Sequence, residues 1–216
     1  MNKLFFIFCV LTITNSTKAQ TRALTDNGRE VFLYENGTWK YSQDSSDTKS
    51  VSTDSLSINK NKFVKSNQST FLVKSKVFNV GIFINPTKWT FAAHKENEKN
   101  PEYRFSLKSG EGYAMMIAEK TEIDLENMRN IAFINAQKAS VDIKETKAEY
   151  RIVNNKKIMC LEFKGTIQGI KFVYFGYYFS NSKGTVQLIS YSSQQYFDSI
   201  KNDLENFLNG LVELDK

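Results

Sequence analysis

The run Ile170-Lys171-Phe172-Val173-Tyr174-Phe175-Gly176-Tyr177-Tyr178-Phe179 constrains the fold more than any other stretch of this chain. Successive side chains of a β-strand point to opposite faces. Here both alternating sets are apolar or aromatic, so a strand built from the run has to be covered on both sides. Turn signals bracket it. Gln168-Gly169 precedes it and Asn181 to Gly184 follows it, while Asn154-Asn155 sits one strand earlier. The spacing predicts an antiparallel meander of four strands: Glu145 to Val153, Lys157 to Ile167, Ile170 to Ser180 and Thr185 to Ser192.

Two helices are expected beside that sheet. Asp124 is a cap, followed by Leu125, Met128, Ala132 and Ala136 at helical spacing. Ser193 caps a second helix, in which Phe197, Ile200, Leu204, Phe207, Leu208 and Leu211 form one apolar stripe ended by Asn209-Gly210. Upstream, Asn79 to Ile84 reads as a strand closed by Asn85-Pro86, and Trp89 to Ala92 continues after the turn. Tyr103 to Lys108 and Tyr113 to Glu119 read as a hairpin about Ser109-Gly110-Glu111-Gly112. The expected fold class is α+β: an antiparallel β-sheet with a helix on each face, an α/β/α sandwich, preceded by a small β-hairpin or meander.

The N-terminal part divides by composition. Residues 1–19 have a basic start, an apolar run from Leu4 to Ile13 and a small-residue exit at Ser16-Thr17-Lys18-Ala19. That is the layout of a secretory signal peptide, with cleavage expected after Ala19. The apolar run is too short to span a bilayer, which needs roughly 20 residues, so no transmembrane segment is expected in the mature chain. Residues 20–41 carry two Asn-Gly turns around Val31-Phe32-Leu33-Tyr34 and read as a small β-meander. The stretch from Asn27 to Tyr41 resembles a short motif found near the start of many exported bacterial proteins, in which a Gly-x-x-Val-x-Leu run leads to Asn-Gly-Thr-Trp-x-Tyr. Residues 42–62, rich in Ser, Asp, Thr, Lys and Asn, read as a linker. Residues 63–216 form the main domain.

The order of hairpins, one helix, a long meander and a C-terminal helix resembles the PsbP-like fold, which photosystem PsbP, DcrB-type envelope proteins and Mog-type Ran-binding proteins share. Phe83-Ile84-Asn85-Pro86-Thr87-Lys88-Trp89 is similar to the aromatic-x-x-Pro-x-x-Trp opening of that group. Asp124-Leu125 at the first helix and Tyr178 to Tyr191 ahead of a terminal helix near Gln195 fit it too. The resemblance implies a binding or assembly module and no catalytic residue.

The charges give a similar answer. The full chain has 29 Lys+Arg against 23 Asp+Glu. Loss of Lys3 and Lys18 lowers 29 to 27 against 23, a net of +4. These charges are spread, with no block of like sign, so a solvated surface is expected and nucleic acid is not a partner. Cys9 leaves with the leader, so Cys160 is the one thiol of the mature chain, expected in the core. His94 is the one histidine. One His and one Cys do not make a zinc site, and no cofactor motif is present. Catalytic and metal residues are therefore expected to be none. Glu119, Glu122 and Asp124 cluster at a strand-to-helix junction, where a helix cap and solvated carboxylates are the simpler reading of a pair that could otherwise hydrolyse a glycoside.

Binding is expected on a loop rim carrying Trp89, His94 and Tyr103, with a core role for Trp89 as the competing reading. The sequence thus points to an exported, non-catalytic binding or assembly module of the bacterial envelope, periplasmic or extracellular. Its partner would be an envelope protein or a small apolar ligand. The alternatives are a carrier of a lipid or other apolar ligand and, further off, a hydrolase.

Overall fold

Strand β12 (Ile170–Asn181) lies inside an eight-stranded sheet, as its two apolar faces require. The computed structural model describes residues 21–24, 30–34, 38–41, 56–93 and 101–214. The leader and His94 lie outside these. In chain order the strands are β1 (Thr21–Leu24), β2 (Glu30–Leu33), β3 (Trp39–Tyr41), β4 (Ile58–Phe63), β5 (Phe71–Lys74), β6 (Val80–Ile84), β7 (Trp89–Ala93), β8 (Tyr103–Leu107) and β9 (Tyr113–Glu119). Helix α1 (Leu125–Ala139) follows, then β10 (Lys144–Val153), β11 (Lys156–Ile167), β12, β13 (Gly184–Ser193), α2 (Gln194–Leu208) and β14 (Leu211–Glu213).

The sheet runs β4-β10-β11-β12-β13-β9-β8-β7. The meander β10 to β13 has the turns its sequence dictates. Asn154 and Asn155 take positive φ (48° and 67°), as do Gln168 and Gly169 (50° and 81°). Two successive positive φ values give the tight turn whose twist matches that of the flanking strands. Every neighbouring pair is antiparallel except β4 and β10, which are parallel.

Alternation along the strands sorts the core into two clusters. Ile158, Cys160, Val173, Phe175, Tyr177 and Leu188 pack with Phe197, Leu204, Phe207 and Leu208 of α2. Met159, Leu161, Phe163 and Tyr178 pack with Met128 and Ala132 of α1. Asp124 caps α1, its carboxylate accepting from the Glu126 and Asn127 amides. Ser193 precedes α2 in extended conformation without capping it through its side chain.

The strands also depart from the sequence reading. Residues 58–62, read as linker, belong to β4, so the main sheet starts before Phe63. The strand is Ile-Asn-Lys-Asn-Lys-Phe, and only Phe63 is buried, which is the composition of a guarded sheet edge. Leu211, read as the end of the α2 stripe, instead begins β14. That strand pairs with β6, which pairs with β5 in a second, three-stranded sheet. Gly210 makes this possible. The Phe83 amide donates to its carbonyl at 2.9 Å, and a Cβ on residue 210 would lie 2.0 Å from the Phe83 oxygen. Strands β1, β2 and β3 form a separate antiparallel sheet.

Candidate binding surface

Helix α1 packs chiefly over β11 and β12, and the same face of the sheet continues past it across β13, β9, β8 and β7. Directly opposite residues of neighbouring strands share a face. One such row is Tyr174-Tyr191-Tyr113-Ser106-Thr90, each paired with the next. The adjoining row is Gly176-Ile189-Met115-Arg104-Ala92. Tyr113 is 41% exposed, and Arg104, Ser106, Thr90 and Ala92 are also exposed. Tyr174, Tyr191, Ile189 and Met115 are half-buried. The outcome is an open platform of three tyrosines, an isoleucine, a methionine and one arginine.

The rings are ordered by one another. Tyr113 stacks on Tyr191 with centroids 5.6 Å apart, and Tyr191 lies 5.7 Å from Tyr174. Phe172 extends the line beyond Tyr174 at 6.3 Å. The Tyr113 hydroxyl donates to the Gly110 carbonyl. Burial raises the hydroxyl pKa of Tyr174, and the neighbouring Tyr191 adds to it. Burial also raises that of Tyr191, although the Arg104 charge pulls the other way. Both hydroxyls are therefore protonated at neutral pH, able to donate and to accept. Rigid Tyr side chains bring large contact area at small entropic cost, and Tyr, Met and Arg are enriched at protein interfaces.

The residues read from sequence as a binding rim sit differently. Trp89 is 3% exposed and its ring packs at a tilt against Phe207, with centroids 4.3 Å apart. Tyr103 is 6% exposed and its hydroxyl donates to the Lys74 carbonyl at 3.0 Å. Both pack into the core cluster with α2. The exposed aromatics nearby are Phe91 and Phe71, whose rings lie 5.6 Å apart. Trp89 also lines a cavity of about 20 Å³ with Ser69, Asn85, Lys88, Asp203 and Phe207, which is space for one water.

A buried ionic network ties β10 to α2. Arg151 is 3% exposed; its guanidinium donates to Glu149 at 2.6 Å, to Glu205 of α2 at 2.6 Å and to the Tyr177 hydroxyl at 2.8 Å. Tyr177 in turn donates to Asn209 at 2.8 Å. The Phe63 ring lies 4.1 Å from the guanidinium, and Asn59 of β4 donates to Glu149. Burial works against the Glu149 carboxylate, but hydrogen bonds from Arg151, Lys147 and Asn59 hold its pKa below the ordinary value. With Lys147 also paired to Glu149, the formal charges balance. Cys160 is fully buried beside this network, and burial pushes its thiol up to about 12. It is protonated at neutral pH and is not a thiolate nucleophile. Among the described residues, no three His, Cys, Asp or Glu side chains come together as a metal site, and no helix is long and apolar enough to cross a membrane.

No protein-family model matches the chain, and no curated protein does. Among solved structures, the chain is similar to cyanobacterial PsbP (CyanoP) from Synechocystis sp. PCC 6803. The two share 11% identity at a TM-score of 0.50, covering 66% of this chain and 91% of that one. LpqN of Mycobacterium tuberculosis, described as involved in cell envelope biogenesis, matches at 9% identity and a TM-score of 0.47, covering 67% of this chain and 90% of LpqN. Likeness at 11% identity speaks to architecture: the fold of this chain is PsbP-like.

Proposed function

We propose that the protein is a non-catalytic docking module that works outside the cytoplasm, in the envelope of a bacterium, and that its partner is a protein seated on the Tyr174-Tyr191-Tyr113 platform. The observation that carries this reading is the composition of the platform. A sheet face left to water is ordinarily polar on that side, whereas this one sets aromatic rings, Ile189 and Met115 beside Arg104, Ser106 and Thr90. Tyr and Arg are the side chains that most often dominate binding energy at interfaces. The two core clusters read as the two faces of one sheet, each covered by one helix, so the platform is what the helices leave open. The leader-like start of the sequence supports work outside the cytoplasm.

Docking is favoured over carriage of a lipid. The aromatic run from Phe172 to Phe179, which a carrier would need for lining an apolar pocket, is consumed by packing: Val173, Phe175, Tyr177, Tyr178 and Phe179 are buried. The test is capture of a partner from the host envelope fraction by the immobilised protein. Tyr113→Ala and Arg104→Ala change exposed side chains, so each should keep the melting temperature within a few degrees and lose the captured protein. Undiminished capture by both variants would overturn the platform reading. Both leave the β7 edge intact.

A further inference from the structure

The two edges of the large sheet are built differently. Edge strand β4 carries Lys60 and Lys62, both exposed. Such charges discourage another strand from adding. Edge strand β7 is Trp-Thr-Phe-Ala-Ala, with no charge and no proline, and its last four residues are exposed. Among the described residues only β8 pairs with it.

The bonding pattern fixes which groups of β7 are free. The Lys108 amide donates to the Lys88 carbonyl at 2.8 Å, so residues 88 and 108 are a hydrogen-bonded pair. Antiparallel pairs alternate. Thr90 and Ala92 therefore bond inward to Ser106 and Arg104, their register partners. The backbone groups of Trp89, Phe91 and Ala93 point away from the sheet. The Trp89 amide is already taken by the Asn85 carbonyl at 2.9 Å. The amides of Phe91 and Ala93 and the carbonyls of Trp89, Phe91 and Ala93 are left facing outward.

We infer that β7 pairs with β7 of a second copy of this chain, antiparallel and about a two-fold axis through Phe91. The register is self-complementary. It sets Trp89 against Ala93 and Thr90 against Ala92, large against small, and Phe91 against itself. Each Phe91 amide donates to the other Phe91 carbonyl, and each Ala93 amide donates to the other Trp89 carbonyl. The Phe71–Phe91 pair of each copy, 46% and 41% exposed in the single chain, then meets its symmetry mate. The two sheets join edge to edge, and an uncharged strand brings no like charges together at the axis. This is an isologous contact that closes on itself. One short strand pair and two exposed aromatic rings per copy fit a weak association, roughly micromolar or weaker.

Sedimentation equilibrium over a concentration series tests this with the chain lacking residues 1–19. The expected result is a monomer–dimer equilibrium that Phe91→Lys weakens at least about tenfold, because like charges would face each other directly. Its melting temperature should stay near that of the parent at a concentration where both are monomeric. Phe91→Cys should give a covalent dimer on oxidation, since facing Cα atoms in a bonded pair lie about 5.5 Å apart, within disulfide reach. Cys160 is buried and does not compete. A monomer at every concentration overturns the proposal. If Phe91→Lys then also abolishes capture of an envelope protein, the edge serves a foreign strand. A dimer unaffected by Phe91→Lys and not linked by Phe91→Cys also overturns it, by placing the interface elsewhere.

Discussion

Removing the Arg151 guanidinium would leave Glu149 and Glu205 without their shared cation and Tyr177 without a partner on one side. Breaking a buried ion pair from one end typically costs about 3–5 kcal/mol. Arg151→Ala is therefore expected to lower stability by about that amount, read from the urea unfolding midpoint at constant slope; a loss under about 1 kcal/mol would mean the network is strained or solvated. A second residue reports on pH. The Asp142 carboxylate is held by the Ser140 hydroxyl and by the Thr166 amide and hydroxyl, which lower its pKa from 3.8 to about 2. A depressed folded-state pKa stabilises the fold above the unfolded value, and the contribution fades as pH falls through the folded one. Asp142→Asn should thus melt below the parent at pH 7, with the gap closing between about pH 4 and pH 2. A gap that stays constant over that range would show that the carboxylate charge is not what pins the turn between α1 and β10. Neither role could be read from sequence, because Arg151 between Tyr150 and Ile152 and Asp142 between Val141 and Ile143 look like ordinary outward-facing polar positions, and their partners Tyr177, Glu205 and Thr166 lie far away in the chain.

At the scale of elements, the stop of α2 and the start of β14 form one hinge-free corner, and Gly210 is its narrowest point. An alanine there would drive its Cβ into the Phe83 carbonyl. Overpacking of that kind commonly costs about 1–3 kcal/mol, so Gly210→Ala should lose roughly 3 kcal/mol or fail to fold. A melting curve settles it, and an unchanged midpoint would mean β6 yields freely. The helices and the meander were legible because each announces itself locally: a cap, a 3.6-residue stripe, or alternation between turn residues. Strand β4 was not, because its Asn and Lys side chains suit an edge and read as linker. Strand β14 was not, because Leu211 continues the spacing of the α2 stripe and only pairing with β6 shows that the chain has left the helix.

For the whole molecule, β4 extends the main sheet upstream of Phe63. It supplies Phe63 over Arg151 and Asn59 to Glu149, and it covers the outer edge of β10. A chain from Leu56 to Lys216 should unfold in one cooperative transition. A chain from Val64 should melt lower or lose cooperativity, because it exposes β10 and removes a ring from the guanidinium. Calorimetry of the two separates the cases; equal transitions would place β4 outside the cooperative unit.

The α+β class, the central meander and the two helices follow from the residues alone, through periodicity and turn chemistry within short windows. Its resemblance to the PsbP-like group agrees with the fold. Tertiary structure alone decided which side chains reach the surface. Trp89 and Tyr103 became interior because α2 and β5 pack against them. The tyrosine platform exists only because β13 pairs with β9, which aligns Tyr191 with Tyr113 from opposite sides of α1 in the chain. Register between strands so far apart in sequence is set by the whole core and is not written in any local pattern.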